Sequence, residues 1–273
     1  MSLRGRYIID RIKQAIGTKH FRLPVPPYGD TEYWNAAYQS LGPHDSLEWG
    51  DVSLEDVWEY EHRRLDHYYH GGDSTTPLTT TLAQTMGIEP NADQDEPILM
   101  LGCGNSRLGE EMIDRGWRGP LIQVDVSNRV IESMSHRCAD YIHQGHMNFI
   151  QDDATELSAF RNGMMQACLD KGLVDALYCA DEYDQCHRVL KSVHRVLRPG
   201  GTFCVWSFSR PEFLLPHLLD TNVRQNRVMW QEIQVQELSK ILLYKFEKKQ
   251  VEDDSRNVRR PATTAAKKKR QQQ

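Results

Sequence analysis

The sequence predicts an α/β protein built on a doubly wound, mostly parallel sheet. Two observations point there. Short apolar runs alternate with helical segments from residue 98 onward, the order that parallel sheets produce. A glycine-containing turn, Leu101-Gly102-Cys103-Gly104-Asn105-Ser106, sits where the first of these runs gives way to a helix. Two β-rich runs near the end, Val228–Gln236 and Ile241–Glu247, are joined by a short link and predict an antiparallel hairpin at one edge.

Each element follows from local pattern. Leu3, Tyr7, Ile8, Ile12, Ala15 and Ile16 recur near a 3.6 period and predict a basic amphipathic helix over Leu3–Ile16, stopped by Pro24, Pro26 and Pro27. Thr31–Tyr38 reads as a short aromatic helix. Ser53 is positioned to cap a helix running to Gly71-Gly72. The alternating part then predicts strands at Ile98–Leu101, Leu121–Val126, Met147–Gln151, Met165–Leu169 and Thr202–Ser207. Helices are expected at Arg107–Arg115, Val130–His143 and Asp184–Leu197, the last stopped by Pro199-Gly200-Gly201.

Charge divides the 273 residues into three parts. The net charge of −5 combines a +5 segment at 1–24, a +7 segment at 255–273 and a −17 body between them. The expected organisation is therefore a basic N-terminal extension (1–27), a folded domain (28–249) and a disordered basic tail (250–273). No apolar run approaches the roughly 18 residues that span a bilayer, so no membrane partner is expected. The six cysteines contain no C-x-x-C pair and do not read as a disulfide framework or a zinc site; no metal is expected. An acidic body disfavours nucleic acid, except through the tail, and suits a cationic partner.

Three positions carry candidate binding chemistry. The glycine turn would let backbone approach a ligand at the carboxyl end of a strand, or it is an ordinary strand–helix turn. It lacks the third glycine of a dinucleotide fingerprint, leaving an NAD-linked oxidoreductase a distant reading. Asp125 ends the second predicted strand, 23 residues past Gly102; it can accept both hydroxyls of a ribose or sit as an acid at a helix N-terminus. Asp152-Asp153-Ala154 follows the third strand and offers a carboxylate and an amide for an adenine edge, or simply two solvated acids.

Together these positions resemble the class I S-adenosylmethionine (SAM) methyltransferases, a Rossmann-like fold with a seven-stranded sheet and an antiparallel edge hairpin. The run Val196-Leu197-Arg198-Pro199-Gly200-Gly201-Thr202 resembles that fold's entry to strand five. Leu101–Ser106 with Leu169-Asp170-Lys171-Gly172, and the upstream Tyr33-Trp34-Asn35-Ala36-Ala37-Tyr38 and Trp49, resemble one subgroup. That subgroup is the protein-lysine methyltransferases acting on elongation factor 1-alpha or citrate synthase. The likeness covers residues 31–50 and 98–247, with an unplaced insertion between.

The resemblance implies SAM as cofactor and a protein substrate with an accessible lysine. It implies that Trp34, Tyr38 and Trp49 close over SAM, that Gly102 approaches its methionine part, and that Asp125 and Val126 hold the ribose. Asp153 and Ala154 would bind adenine, and Lys171 would lie beside the cofactor. Asp170 is the expected catalytic residue, orienting the incoming ammonium; it is also readable as a structural acid. Lys171 is equally readable as a solvated or ion-paired lysine, and the aromatics as packing. Met100 stands where many members of the wider fold place an acid. Other readings are a small-molecule methyltransferase and a SAM-binding scaffold. The cytoplasm is the expected location, with the basic ends as rival mitochondrial or nuclear addresses.

Overall fold

A computed structural model describes residues 25–39, 41, 45, 46, 48, 49, 96–117, 119–219, 229–238 and 241–250. The helices expected over 3–16 and from Ser53, most of the 51–97 insertion and the tail after 250 lie outside the described residues.

The sheet has seven strands in the order β3-β2-β1-β4-β5-β7-β6. They are β1 (Ile98–Leu101), β2 (Leu121–Asp125), β3 (Met147–Gln151), β4 (Met165–Lys171), β5 (Leu197–Ser207), β6 (Trp230–Glu237) and β7 (Leu242–Lys248). The first five are parallel, and β7 runs antiparallel against both β5 and β6. The expected edge hairpin is therefore β6–β7.

Central β1 is buried along its whole length, because alternate side chains serve opposite faces. Ile98 and Met100 enter one core with Leu108, Met112, Val130 and Met134. These come from α2 (Leu108–Asp114) and α3 (Asn128–Arg137). Leu99 and Leu101 enter the other core with Val174, Val189, Val193 and Leu214. Those come from α5 (Leu173–Cys179), α6 (Tyr183–Val196) and α7 (Pro211–Leu218). A short α4 (Ala139–His143) follows α3, and α1 (Thr31–Gln39) precedes the sheet in sequence. Met100, at the position where the wider fold often has an acid, is thus a core residue.

Several boundaries differ from the sequence expectation. The helix expected over 130–143 breaks at Cys138 into α3 and α4. Strand β5 starts at Leu197, before Pro199, and its register with β4 shifts between Met165 and Ala167. That irregularity accommodates a proline, which cannot donate to a regular ladder. Strand β4 runs on through Asp170 to Lys171, and α5 and α7 were not anticipated. Among the described residues no helix is long and apolar enough to cross a membrane.

Candidate active site

The chain turns from building one half of the sheet to the other between β1 and β4, which lie side by side with Leu101 opposite Asp170. A cavity opens there, beyond the carboxyl ends of the strands, where ligands bind in such sheets. Its wall includes Trp34, Tyr38, Trp49, Gly102, Asp125, Val126, Asp153, Ala154 and Lys171. The residues singled out for cofactor contact are thus brought together around one space.

The glycine turn forms the floor. Gly102 and Gly104 both have φ of +51°, a left-handed conformation that side chains disfavour. A β-carbon on Gly104 would also fall 2.8 Å from the Tyr38 hydroxyl. Asp125 holds this turn: one carboxylate oxygen accepts from Gly104 N and the other from Ser127 N, both at 2.9 Å. Burial pushes the Asp125 carboxyl up to about 6, although the amides of Ser127, Gly104 and Val126 favour its anion. Asp125 thus buttresses the start of α3, as one sequence reading expected, and it also lines the cavity.

Residues before the sheet supply an aromatic wall. Trp34 stacks on Tyr38 at 5.8 Å and on Tyr28 at 5.6 Å between ring centroids, and Trp49 meets Tyr28 edge-on at 5.8 Å. The Trp34 indole donates to Tyr28 O at 2.7 Å. Asn35 accepts a 2.7 Å hydrogen bond from Ser127 Oγ, fastening α1 beside the β2–α3 turn. Tyr28, only 4% exposed, was not expected as a site residue; its signal was the Pro26-Pro27 turn before it. Burial and then the nearby Asp125 carboxylate raise the Tyr38 hydroxyl well above its ordinary value.

On the opposite rim, Trp49 packs on Gly172, and its indole donates to Asp175 at 3.3 Å. Lys171 is ion-paired with Glu48. Glu48 also accepts from Ser106 Oγ and Arg107 N at 2.8 Å each. Burial works to raise the Glu48 carboxyl, but Lys171, Arg107 and Ser106 outweigh it and hold it below the usual value. Sequence reading missed Glu48, whose signal was its place beside Trp49.

Beyond β3, Asp152 accepts from Asp153 N at 2.8 Å and Ala159 N at 2.9 Å, and Asp153 from Thr155 N at 2.7 Å. The two adjacent acids thus shape a turn as well as facing the cavity. The Thr155 hydroxyl is buried on the same wall with no hydrogen-bond partner.

Asp170 is placed differently from the expectation. It is fully buried and absent from the cavity wall. Its two oxygens accept from Leu173 N and Val174 N, both at 2.9 Å, capping the first turn of α5. Burial, with the Asp175 charge adding, pushes its carboxyl up to about 7. This placement agrees with the reading of Asp170 as a structural acid: both oxygens hold the helix that follows β4, away from the cavity wall.

Residues 98–201 match the family model described as a methyltransferase domain. The chain carries a class I SAM-dependent methyltransferase domain. Its cofactor is SAM. A mouse protein named eEF1A lysine and N-terminal methyltransferase is 30% identical over 190 residues, 68% of this chain and 22% of the relative. A Drosophila melanogaster homologue of that name is 35% identical over 202 residues, 73% of this chain and 25% of the relative. The chain thus spans a quarter or less of these relatives. A Bos taurus protein named EEF1A lysine methyltransferase 4 is 28% identical over 201 residues, 70% of this chain and 65% of the relative. The methyltransferase fold also appears in the CurJ carbon methyltransferase, with TM-score 0.51 at 11% identity, covering 90% of this chain and 66% of that one. A structure described with thioacetal formation during echinomycin biosynthesis has TM-score 0.51 at 14% identity, covering 83% and 94%.

Proposed function

We propose that this methyltransferase domain transfers a methyl group from SAM to a lysine side chain of a protein, with elongation factor 1-alpha as the first candidate. The observation that carries the reading is the cavity across the β1–β4 switch point, walled by the Gly102–Gly104 turn, Asp125 and the aromatic residues 28–49. The names of the curated relatives supply the substrate class.

The residues present fit SAM. Left-handed Gly102 and Gly104 leave backbone bare for the methionine part. Asp125 faces the cavity with acceptor capacity beyond its two amide bonds and, with Val126, would hold the ribose. Asp153 and Ala154 would hold the adenine, beside the unpartnered Thr155 hydroxyl. Trp34, Tyr38 and Trp49 would exclude water from above, and Lys171 would lie beside the methionine part.

Bound there, SAM supplies a methyl group already activated on a positively charged sulfur, so the protein mainly has to position and desolvate. The nucleophile must be a neutral amine. With a pKa of about 10.4, only about one lysine in a few thousand is neutral at pH 7. An apolar, aromatic wall favours that form. No histidine lines the cavity among the described residues, so the reading sends the proton to water as the lysine enters. The acidic body assists the earlier step, drawing in a cationic segment.

The test is incubation of the full chain with methyl-labelled SAM and purified elongation factor 1-alpha or citrate synthase. Label on a lysine of elongation factor 1-alpha is expected. Citrate synthase labelled instead would replace that substrate with another protein. No label on either, with SAM binding intact, would overturn the substrate assignment.

A further inference from the structure

Glu48 and Trp49 are consecutive, and together they bridge the two turns that flank the switch point. Glu48 grips Ser106 and Arg107 just after the glycine turn and pairs with Lys171 at the end of β4. Trp49 fills the space over Gly172. The Lys171 side chain is 6% exposed and that of Glu48 23%, so their charges act on each other and on the cavity with little screening by water.

Lys171 lines the cavity, so its positive charge, paired with Glu48, lies close to whatever the cavity holds. SAM carries an ammonium, a carboxylate and a sulfonium, a net positive charge. Its demethylated product, S-adenosylhomocysteine, has lost the sulfonium charge and is otherwise the same molecule. A cation on the wall therefore opposes the methyl donor more than the product. That is the wrong preference for turnover, because the enzyme has to take up one and let go of the other.

We propose that Glu48 is a positioning residue that acts through Lys171, and that its carboxylate offsets the Lys171 charge so that the cavity favours the sulfonium donor over its neutral product. This rests on SAM occupying the cavity as proposed above. It does not require Glu48 to be the whole surroundings of Lys171, since removing one negative charge makes the local potential more positive whatever else the ammonium touches.

Calorimetry of both ligands with the full 273-residue chain tests this. The ratio of the two dissociation constants cancels the adenosine and carboxylate contacts that SAM and S-adenosylhomocysteine share. Any loosening of the clasp that does not involve charge cancels as well. Glu48→Gln is expected to weaken SAM about tenfold more than S-adenosylhomocysteine. Lys171→Gln should move the ratio in the opposite direction, and the double variant should return it to near the wild-type value. Equal loss of both ligands in Glu48→Gln would mean a purely mechanical clasp and overturn the proposal, as would an unchanged ratio. If Glu48→Gln fails to fold, Lys171→Gln decides: a ratio shifted towards SAM supports the proposal, and a ratio equal to wild type overturns it. Wild-type protein that binds neither ligand would overturn the cofactor site itself, which is a different outcome from an unchanged ratio.

Discussion

The indole of Trp49 occupies the space that a β-carbon on residue 172 would need. Such a carbon on Gly172 would lie 2.5 Å from Trp49 Cγ, and the backbone there has φ of +111°. A left-handed glycine at the end of β4 thus lets a tryptophan more than a hundred residues earlier in the chain close the rim of the cavity.

Gly172→Ala should cost about 1–3 kcal/mol from backbone strain. It should also push Trp49 off its seat and away from Asp175. Urea unfolding would measure the first effect. A drop in SAM affinity larger than that seen for an alanine at Gly145, a left-handed glycine with open space around it, would measure the second.

Trp34→Ala removes two ring stacks and the hydrogen bond to Tyr28 O. SAM affinity should fall about tenfold or more, from the aromatic contacts alone. Trp34→Phe keeps a ring in place and should lose less. Titration calorimetry on the two variants gives the comparison; equal losses would show that the ring is not what matters.

Asp125→Asn keeps one acceptor oxygen and turns the other position into a donor facing a backbone N–H. Either Gly104 N or Ser127 N then loses its partner, at a cost of about 1–3 kcal/mol. The destabilisation should be read from denaturant midpoints, and SAM binding should weaken with it.

Asp170 makes stability depend on pH in a direction opposite to a salt-bridged acid. Its folded carboxyl is raised to about 7, above the unfolded range near 4. Between those values the folded state holds a proton that the unfolded chain has released. The contribution is therefore complete at and below about pH 4 and is lost as pH rises through about 7. The difference in unfolding free energy between wild type and Asp170→Asn should shift against wild type from pH 5 to pH 7.5. A difference that stays constant over that range would contradict the buried-acid account. Asp125, raised to about 6, contributes in the same direction and is present in both proteins.

Much of this architecture was legible because short apolar-rich runs mark the strands. The wholly apolar central run Ile98–Leu101 and the alternating edge run Met147–Gln151 fall where the pattern put them. Strand β5 was misjudged at its start because Pro199 argues against strand, and only pairing with an irregular stretch of β4 accommodates it. Helix α5 was missed because it has seven residues and begins directly after a left-handed glycine. At the site, motifs local in sequence could be read: the glycine turn, Asp125 at a strand end, the Asp153-Ala154 pair. Glu48 had only its place beside Trp49 to mark it, since its ion-pair partner is 123 residues away. Asp170 and Lys171 show the finest limit of pattern. They are neighbours in one motif, yet one binds the amides of the helix that follows β4 and the other lines the cavity.

The aromatic wall comes from residues 28–49, while the glycine turn and the strand ends come from residue 102 onward. A molecule held between them touches two stretches some fifty residues apart along the chain, already tied by Asn35 to Ser127 and by Glu48 to Lys171. In polymer terms that molecule adds a further reversible cross-link across a loop those contacts close, so its grip is partly a statement about chain entropy. Occupancy should then raise the melting temperature of the whole domain in step with ligand concentration, and the N-terminal segment should be the part whose amide exchange slows most.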